Sequence, residues 1–363
     1  MINRNDRIRG SLIGGAIGDA LGYPIEFQKN IKNRQYTRFE GKGIISDDTQ
    51  MTLFTANALL WRDTRGFLKG IAPSVSDALY LAYKDWLYTQ IDFTNENKIS
   101  WIKDLDELNV QRAPGNTCLS ALSSGKKGTI ENPINNSKGC GGIMRVAPIG
   151  IYVRNPKEAG KYAAEAAAIT HGHPLGIIPS YVFAVLISLI VNHDMEIDEA
   201  FAEALKIYHE NFEIYDDDTQ KYFLDLVIKI VELVKSDLSD VEAIKKLGEG
   251  WVAEEAFAIA MYSCLKYSNN FEEAIICAVN HDGDSDSTGA IAGNIIGASL
   301  GYSKIPDYFV NNLELKDVIL ELADDLSIPI PVSEYSSNND EYWLSKYLYC
   351  KRDISLFKNM NDF

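Results

Sequence analysis

The sequence predicts an all-α protein folded as a single compact domain, and three observations carry that prediction. Period-two alternation of apolar and polar residues, the mark of a half-buried strand, is almost absent. From Leu175 to Asn280 apolar residues recur at helical spacing, segment after segment. Glycines recur at every fourth position in two distant stretches, 10–22 and 289–301, and residues four apart share one ridge of a helix. No parallel sheet and no dinucleotide fold is indicated, and 363 residues are ample for one large helical core.

The stretch 1–22 places Arg7 and Arg9 before an apolar run, as a signal peptide would. The run is short, rich in glycine and closed by Asp19, so it reads as mature protein. In GSLIGGAIGDALG the glycines at 10, 14, 18 and 22 form a nearly bare stripe. Glycine costs up to about 1 kcal/mol relative to alanine at a helical position, so the stripe needs a reason, and close backbone approach supplies one. The spacing returns at Gly289, Gly293, Gly297 and Gly301. Two helices packed closely in the core are expected, against each other or against a third. That packing would bring Asp19, and Glu26 in GYPIEF, near the acidic turn ahead of the second stripe.

Ser46-Asp47-Asp48-Thr49-Gln50 precedes MTLFTANALLW and has the form of a helix start, with Ser46 as N-cap and acids in the first turn. Asp216-Asp217-Asp218-Thr219-Gln220 has the same form ahead of YFLDLVIKIVELVK. The later helix carries Lys229, Glu232 and Lys235 on an ordinary amphipathic pattern, whereas the earlier one is nearly uncharged from Met51 to Trp61. Two adjacent carboxylates opening a buried helix are the less ordinary object. Residues 46–48 are therefore read as a site and 216–218 as a cap.

Residues 74–110 give two charged amphipathic segments rich in aromatics, broken by a polar loop near 92–98, and are read as a peripheral insertion. Arg112 to Thr117 opens a short helix, and Gly139-Cys140-Gly141-Gly142-Ile143-Met144-Arg145 is a glycine cluster without the spacing of a Walker loop. A tight turn is its default reading, although exposed backbone N–H groups can hold phosphate oxygens. An alanine-rich helix, 158–170, ends at His171-Gly172-His173-Pro174, which is not helical zinc spacing. The longest later apolar run, Tyr181 to Val191, is too short to span a bilayer. From about 326 to 363 a Pro- and Ser-rich stretch and a helical segment form a C-terminal extension, expected on the outside.

The turn His281-Asp282-Gly283-Asp284-Ser285-Asp286-Ser287-Thr288-Gly289 places carboxylates at alternate positions. Crowded carboxylates repel unless a cation or proton lies between them, and hard divalent cations take oxygen ligands. A calcium loop of the EF-hand kind fails, because its sixth position would be Ser287 and its twelfth Gly293. A solvated helix cap is the plain alternative, and only a second acidic cluster tips the balance. The formal net charge of −16 argues against broad nucleic-acid or anionic-membrane binding. It leaves room for a small anionic ligand held through metal ions. Five scattered cysteines without CxxC pairing fit a reducing cytoplasm, no disulfide framework and no structural zinc.

Taken together the motifs resemble the ADP-ribosylhydrolase (ADP-ribosylglycohydrolase) family, which includes dinitrogenase reductase-activating glycohydrolase. The matching pieces are GSLIGGAIGDALGYPIEF at 10–27, SDDTQMT at 46–52, GNTCLSAL at 115–122, KGCGGIMRVAPIG at 138–150, ITHGHPLG at 169–176 and HDGDSDSTGAIAGNIIGA at 281–298. The resemblance implies one compact orthogonal helical domain around two Mg²⁺ ions, or Mn²⁺ in their place. Ser46, Asp47 and Asp48 would be ligands from one side, and Asp284, Asp286 and Ser287 from the other. Glu26 would polarise water or assist proton transfer, with Asp47 and Asp286 also in the catalytic group. Gly139, Cys140, Gly141, Gly142, Ile143, Met144 and His171 would line the ADP-ribose pocket. Cys140 stands where many relatives carry Asn, which bears on linkage preference. The implied substrate is ADP-ribose on a protein side chain, arginine first. O-acyl-ADP-ribose, ADP-ribosyl-serine and a non-catalytic ADP-ribose binder are the alternatives.

Overall fold

The structure, a computed structural model, describes residues 2–28, 35–91, 97–212 and 215–357. Much of the polar loop expected near 92–98, and the end of the C-terminal extension, lie outside the described residues. The chain proceeds helix by helix, as the absence of alternation requires. The first six are α1 (Arg4–Gly22), α2 (Asp47–Lys69), α3 (Val75–Gln90), α4 (Asn116–Ser123), α5 (Ala147–Tyr152) and α6 (Pro156–Ala168). Next come α7 (Pro174–His193), α8 (Ile197–Asn211), α9 (Asp217–Val234), α10 (Asp240–Leu247), α11 (Ala253–Lys266) and α12 (Phe271–Val279). The remainder are α13 (Ser285–Leu300), α14 (Asp307–Asn312), α15 (Lys316–Ser327), α16 (Glu341–Tyr347) and α17 (Ile354–Phe357). Among the described residues β pairing is limited to two isolated bridges, Gly43 with Leu313 and Gly139 with Val252.

The glycine stripes of α1 and α13 pack directly on each other, running antiparallel. A Cβ built on Gly10, Gly14 or Gly18 would stand 2.2, 2.3 or 1.9 Å from the carbonyl oxygen of Gly297, Gly293 or Gly289. Substitutions on the other side would meet Gly10, Gly14 and Gly18 oxygens at 2.0 to 2.3 Å. No side chain fits between these backbones, and that is what the repeated glycines are for. Polar contacts flank the stripe: Ser11 donates to the Asn294 carbonyl at 3.0 Å, and Arg7 to the carbonyls of Ala298 and Ser299 at 3.0 and 2.8 Å. Asp6 accepts from the Ser303 backbone and hydroxyl at 3.1 and 2.9 Å. At the opposite end a Cβ on Gly22 would lie 2.2 Å from the Ser285 carbonyl oxygen, so the exit of α1 faces the entry of α13.

Helix α2 is buried from Asp47 through Leu60, as its uncharged sequence predicts. The stretch 74–110 sets α3 against α2 with Tyr83 and Trp86 wholly buried. Helix α7 is longer than the apolar run read from sequence, because Pro174 begins it and His173 caps it by accepting from the Leu175 N–H at 3.0 Å. At 20 residues and a mean hydropathy of 2.2 it is long and apolar enough to cross a membrane, yet 94% of that window is buried inside the protein. It is the central core helix here.

The C-terminal segment enters the interior instead of lying outside. Trp343 donates to Thr64 of α2 at 2.8 Å, and Lys346, almost wholly buried, pairs with Glu321 at 3.0 Å and with Asp325. An extension with three aromatics in the seven-residue α16 has apolar area to bury, which favours this outcome.

Asp216, Asp217 and Asp218 are exposed, and Asp216 caps α9 by accepting from the Thr219 N–H and hydroxyl, each at 2.9 Å. Asp216→Ala is expected to lower the melting temperature slightly and leave catalytic turnover unchanged, which thermal melts and rate measurements on one preparation would check.

Candidate metal and substrate site

The site begins with Asp19, on the last full turn of α1 and wholly buried. Both its carboxylate oxygens accept from the Ser46 N–H at 3.0 Å, and it also accepts from the Thr49 N–H at 3.1 Å and from the Thr49 hydroxyl. These are the orphan N–H groups at the start of α2, so Asp19 caps α2 from another helix. Burial raises its pKa to about 6, opposed by those same hydrogen bonds. Sequence reading placed Asp19 nearby but missed this role; the one signal was an acid interrupting an apolar glycine run.

Ser46 is the local N-cap, its hydroxyl accepting from the Asp48 N–H at 3.2 Å. Asp47 donates its N–H to the Arg112 carbonyl at 3.0 Å and accepts from the Gly115 N–H at 3.1 Å. Arg112 in turn donates to the Ile45 carbonyl and to Glu314, both at 3.1 Å, fastening residues 45–47 to the 112–115 turn. Across from them Asp284 caps α13 by accepting from the Ser287 N–H at 3.3 Å, and its own N–H donates to the Glu249 carbonyl at 2.8 Å. The Cys140 thiol donates to Asp284 Oδ2 at 2.7 Å. Asp286 accepts from the Ser287 N–H at 3.0 Å.

The two acidic clusters meet. Asp48 and Asp286 lie close enough for the charges of the opposite cluster to raise their pKa values, and oxygens of Glu26, Asp284 and Asp286 lie within 4.8 Å of one another. Glu26 follows a 3₁₀ turn, Tyr23–Ile25, that continues α1 past its end. Burial pushes its pKa up to about 8, helped by the charges of Asp284, Asp47 and Asp19. Asp47, Asp48 and Asp286 are raised well above the usual carboxylate range, first by burial and then by their neighbours' charges.

All of these acids are at least nine-tenths buried, and none is in an ion pair among the described residues. Burying so many like charges is expensive without a proton or cation to offset them. Glu26 Oε2 and Asp48 Oδ1 are buried and have no hydrogen-bond partner. Oxygen-rich donors with unfilled acceptors suit a hard divalent ion, so this acidic group could hold a metal.

The glycine cluster forms a neighbouring wall. Cys140–Gly142 is a 3₁₀ turn, held by the Cys140 N–H donating to the Trp251 carbonyl at 3.2 Å and the Ala253 N–H to Lys138 at 2.8 Å. Gly139 and Cys140 are half-buried, whereas Gly141, Gly142, Ile143 and Met144 are buried. His171 lies beneath the turn: a Cβ on Gly139 or Gly141 would come within 3.3 or 3.1 Å of its ring. His171 pairs with the Thr170 hydroxyl at 2.8 Å, and burial, then the Arg145 charge, lowers its pKa to about 3, so its ring is neutral. Arg145 faces inward, donating to the Ala166 carbonyl at 3.0 Å and Thr170 at 2.7 Å, with its guanidinium 4.1 Å from the centre of the Tyr83 ring.

The raised carboxylates have a consequence for stability. A group whose folded pKa exceeds its unfolded value stabilises the fold below the unfolded pKa, and loses that contribution as pH rises through the folded one. For Asp19 the window runs from 3.8 to about 6, and for Glu26 from 4.5 to about 8. The gap in melting temperature between Mg²⁺ and EDTA samples is expected to widen from pH 5 to pH 8. Groups elsewhere titrate alike in both samples and cancel in the difference. A constant gap would contradict the coupling.

The family model for ADP-ribosylglycohydrolase matches residues 1–335. The chain belongs to the ADP-ribosylglycohydrolase family, whose members are hydrolases acting on ADP-ribosyl linkages. It is 25% identical to the ADP-ribosyl-[dinitrogen reductase] glycohydrolase of Rhodospirillum rubrum, covering 86% of this chain and 92% of that one. It is 23% identical to the ADP-ribosylarginine hydrolase Tri1 of Serratia proteamaculans, over 91% of this chain and 81% of the relative. A solved ADP-ribosylglycohydrolase-related protein complex superposes with a TM-score of 0.63 at 22% identity, over 90% of this chain and 98% of that chain, which shows the shared fold.

Proposed function

We propose that this chain hydrolyses the glycosidic bond between ADP-ribose and a modified protein side chain, with arginine as the acceptor and two Mg²⁺ ions, or Mn²⁺, as cofactors. The observation that carries the reading is the meeting of buried acids from residues 46–48 and 284–287 in one cluster beside Glu26, whose Oε2 is unpartnered. Ser46, Asp47 and Asp48 would hold the ions from α2, and Asp284, Asp286 and Ser287 from α13. Bound there, the ions would clamp ribose oxygens and offset the pyrophosphate charge.

Cleavage at C1 of the ribose develops oxocarbenium character, and water attacks that carbon. Glu26 Oε2 has no other partner, and with cation charge beside it favouring the carboxylate form it would be the atom to take the proton from that water. A positioned general base contributes about 10²–10⁴ in rate. Asp19 and the 112–115 turn hold the start of α2 in place while this happens. The half-buried residues Gly139 and Cys140 and the turn they open form the proposed ADP-ribose wall, with neutral His171 supporting it from behind. The Serratia relative, named an ADP-ribosylarginine hydrolase, supports the arginine linkage.

The test is a panel of ADP-ribosyl-arginine, ADP-ribosyl-serine and O-acetyl-ADP-ribose, each incubated with Mg²⁺ or with EDTA. Release of ADP-ribose from the arginine conjugate, stopped by EDTA, is the expected result. Release from only the serine or acyl substrate moves the acceptor assignment, and binding without release from any of them overturns the catalytic reading.

A further inference from the structure

Beside the acidic cluster, two exposed aromatic side chains from distant parts of the chain lie against each other. Phe27 directly follows Glu26, and Trp251 sits in the segment whose Glu249 carbonyl holds the Asp284 N–H and whose Trp251 carbonyl holds the Cys140 N–H. Their rings stack with centroids 5.9 Å apart and planes 22° apart. Large aromatics normally gain by burial, yet Phe27 is 72% exposed and Trp251 38% exposed. The pair is therefore fastened on both sides to residues that touch Asp284 or flank Glu26, and each residue keeps solvent-exposed surface beyond the stacked contact.

The surroundings decide what such faces would receive. Glu249, two residues before Trp251, is exposed, and Glu26, which is outside the proposed metal ligands, directly precedes Phe27. An acidic rim disfavours a bare pyrophosphate and favours a cation. A planar guanidinium stacks on aromatic faces and gains further from nearby carboxylates. We infer that Phe27 and Trp251 are specificity-determining residues that receive the guanidinium of the ADP-ribosylated arginine on the acceptor side of the scissile bond. The inference rests on the arginine linkage proposed above and adds the residues that read it.

The experiment compares two affinities in one background. Glu26→Gln, chosen to slow turnover, is combined with Phe27→Leu or Trp251→Leu, which keep apolar cover and remove the aromatic face. Calorimetry with Mg²⁺ gives the Kd of ADP-ribosyl-arginine and of free ADP-ribose for each protein. The Glu26→Gln protein is expected to prefer the arginine conjugate, and each leucine variant to lose roughly 3- to 30-fold of that preference. Affinity for ADP-ribose should stay within about twofold, which also reports an intact fold. An unchanged preference, no preference in the parent, or equal losses for both ligands would each overturn the inference. Wild-type turnover of the arginine conjugate is measured separately, so a failure of the activity is distinguishable from a failure of the aromatic pair.

Discussion

Asp286→Asn is expected to lower turnover by more than about 100-fold and to flatten the Mg²⁺ dependence of whatever rate remains. Removing a residue that merely supports a metal ligand costs roughly 10- to 100-fold in affinity or activity, and loss of a ligand should exceed that. The substitution keeps the size of the side chain, so no cavity opens. Its effect on stability should have the opposite sign. Asp286 is 2% exposed and its pKa is driven up by burial and by Asp48, Asp284 and Glu26. Neutralising it relieves that repulsion, so in EDTA at pH 8 the variant should melt above the wild type. An inactive protein with a higher metal-free melting temperature separates a lost ligand from a lost fold. A variant that melts lower in EDTA and keeps its Mg²⁺ response would remove Asp286 from the metal set.

Gly18→Val should have the largest structural effect of any single substitution on α1. Its Cβ would stand 1.9 Å from the Gly289 carbonyl oxygen and 2.3 Å from its carbonyl carbon, backbone atoms that move only if a whole helix moves. The expected loss lies at or above the ~3 kcal/mol upper end of ordinary overpacking. Activity should fall with it, because Gly18 adjoins Asp19. Gly66→Ala in α2 is the matched control: its new Cβ would meet only the Ala72 Cβ, at 3.3 Å. There the gain in helix propensity, up to ~1 kcal/mol, should offset the contact. Chemical denaturation of both variants measures the difference.

These two positions show what was legible in the sequence. The helical class followed from periodicity, and close backbone packing of α1 and α13 followed from glycine spacing, which left open whether they meet each other or a third helix; the structure sets them on each other. The choice between the two acidic helix starts also rested on physics visible in sequence, since an uncharged helix must be buried and an amphipathic one need not be. What stayed hidden depends on contacts between distant residues of unremarkable type. Asp19 capping α2, Cys140 on Asp284, and Phe27 on Trp251 carry no periodic signature. The tail escaped for a similar reason: Lys346 reads as a surface residue until Glu321 and Asp325 are seen to enclose it. The length of α7 escaped because Pro179, which lies inside the helix, resembles a break.

A stripe repeating every fourth residue does not by itself fix its own alignment. Sliding α1 four residues along α13 would again set glycine against glycine, displaced by about 6 Å at 1.5 Å per residue. The aperiodic polar contacts of Arg7, Ser11 and Asp6 with 294–303 are satisfied at one alignment alone. A misaligned pair would still bury its glycines, but it would carry Asp19 and Glu26 away from Asp284 and Asp286 by more than a hydrogen bond can span. Those few donors and acceptors, remote from the pocket, therefore set the phase in which its two halves come together.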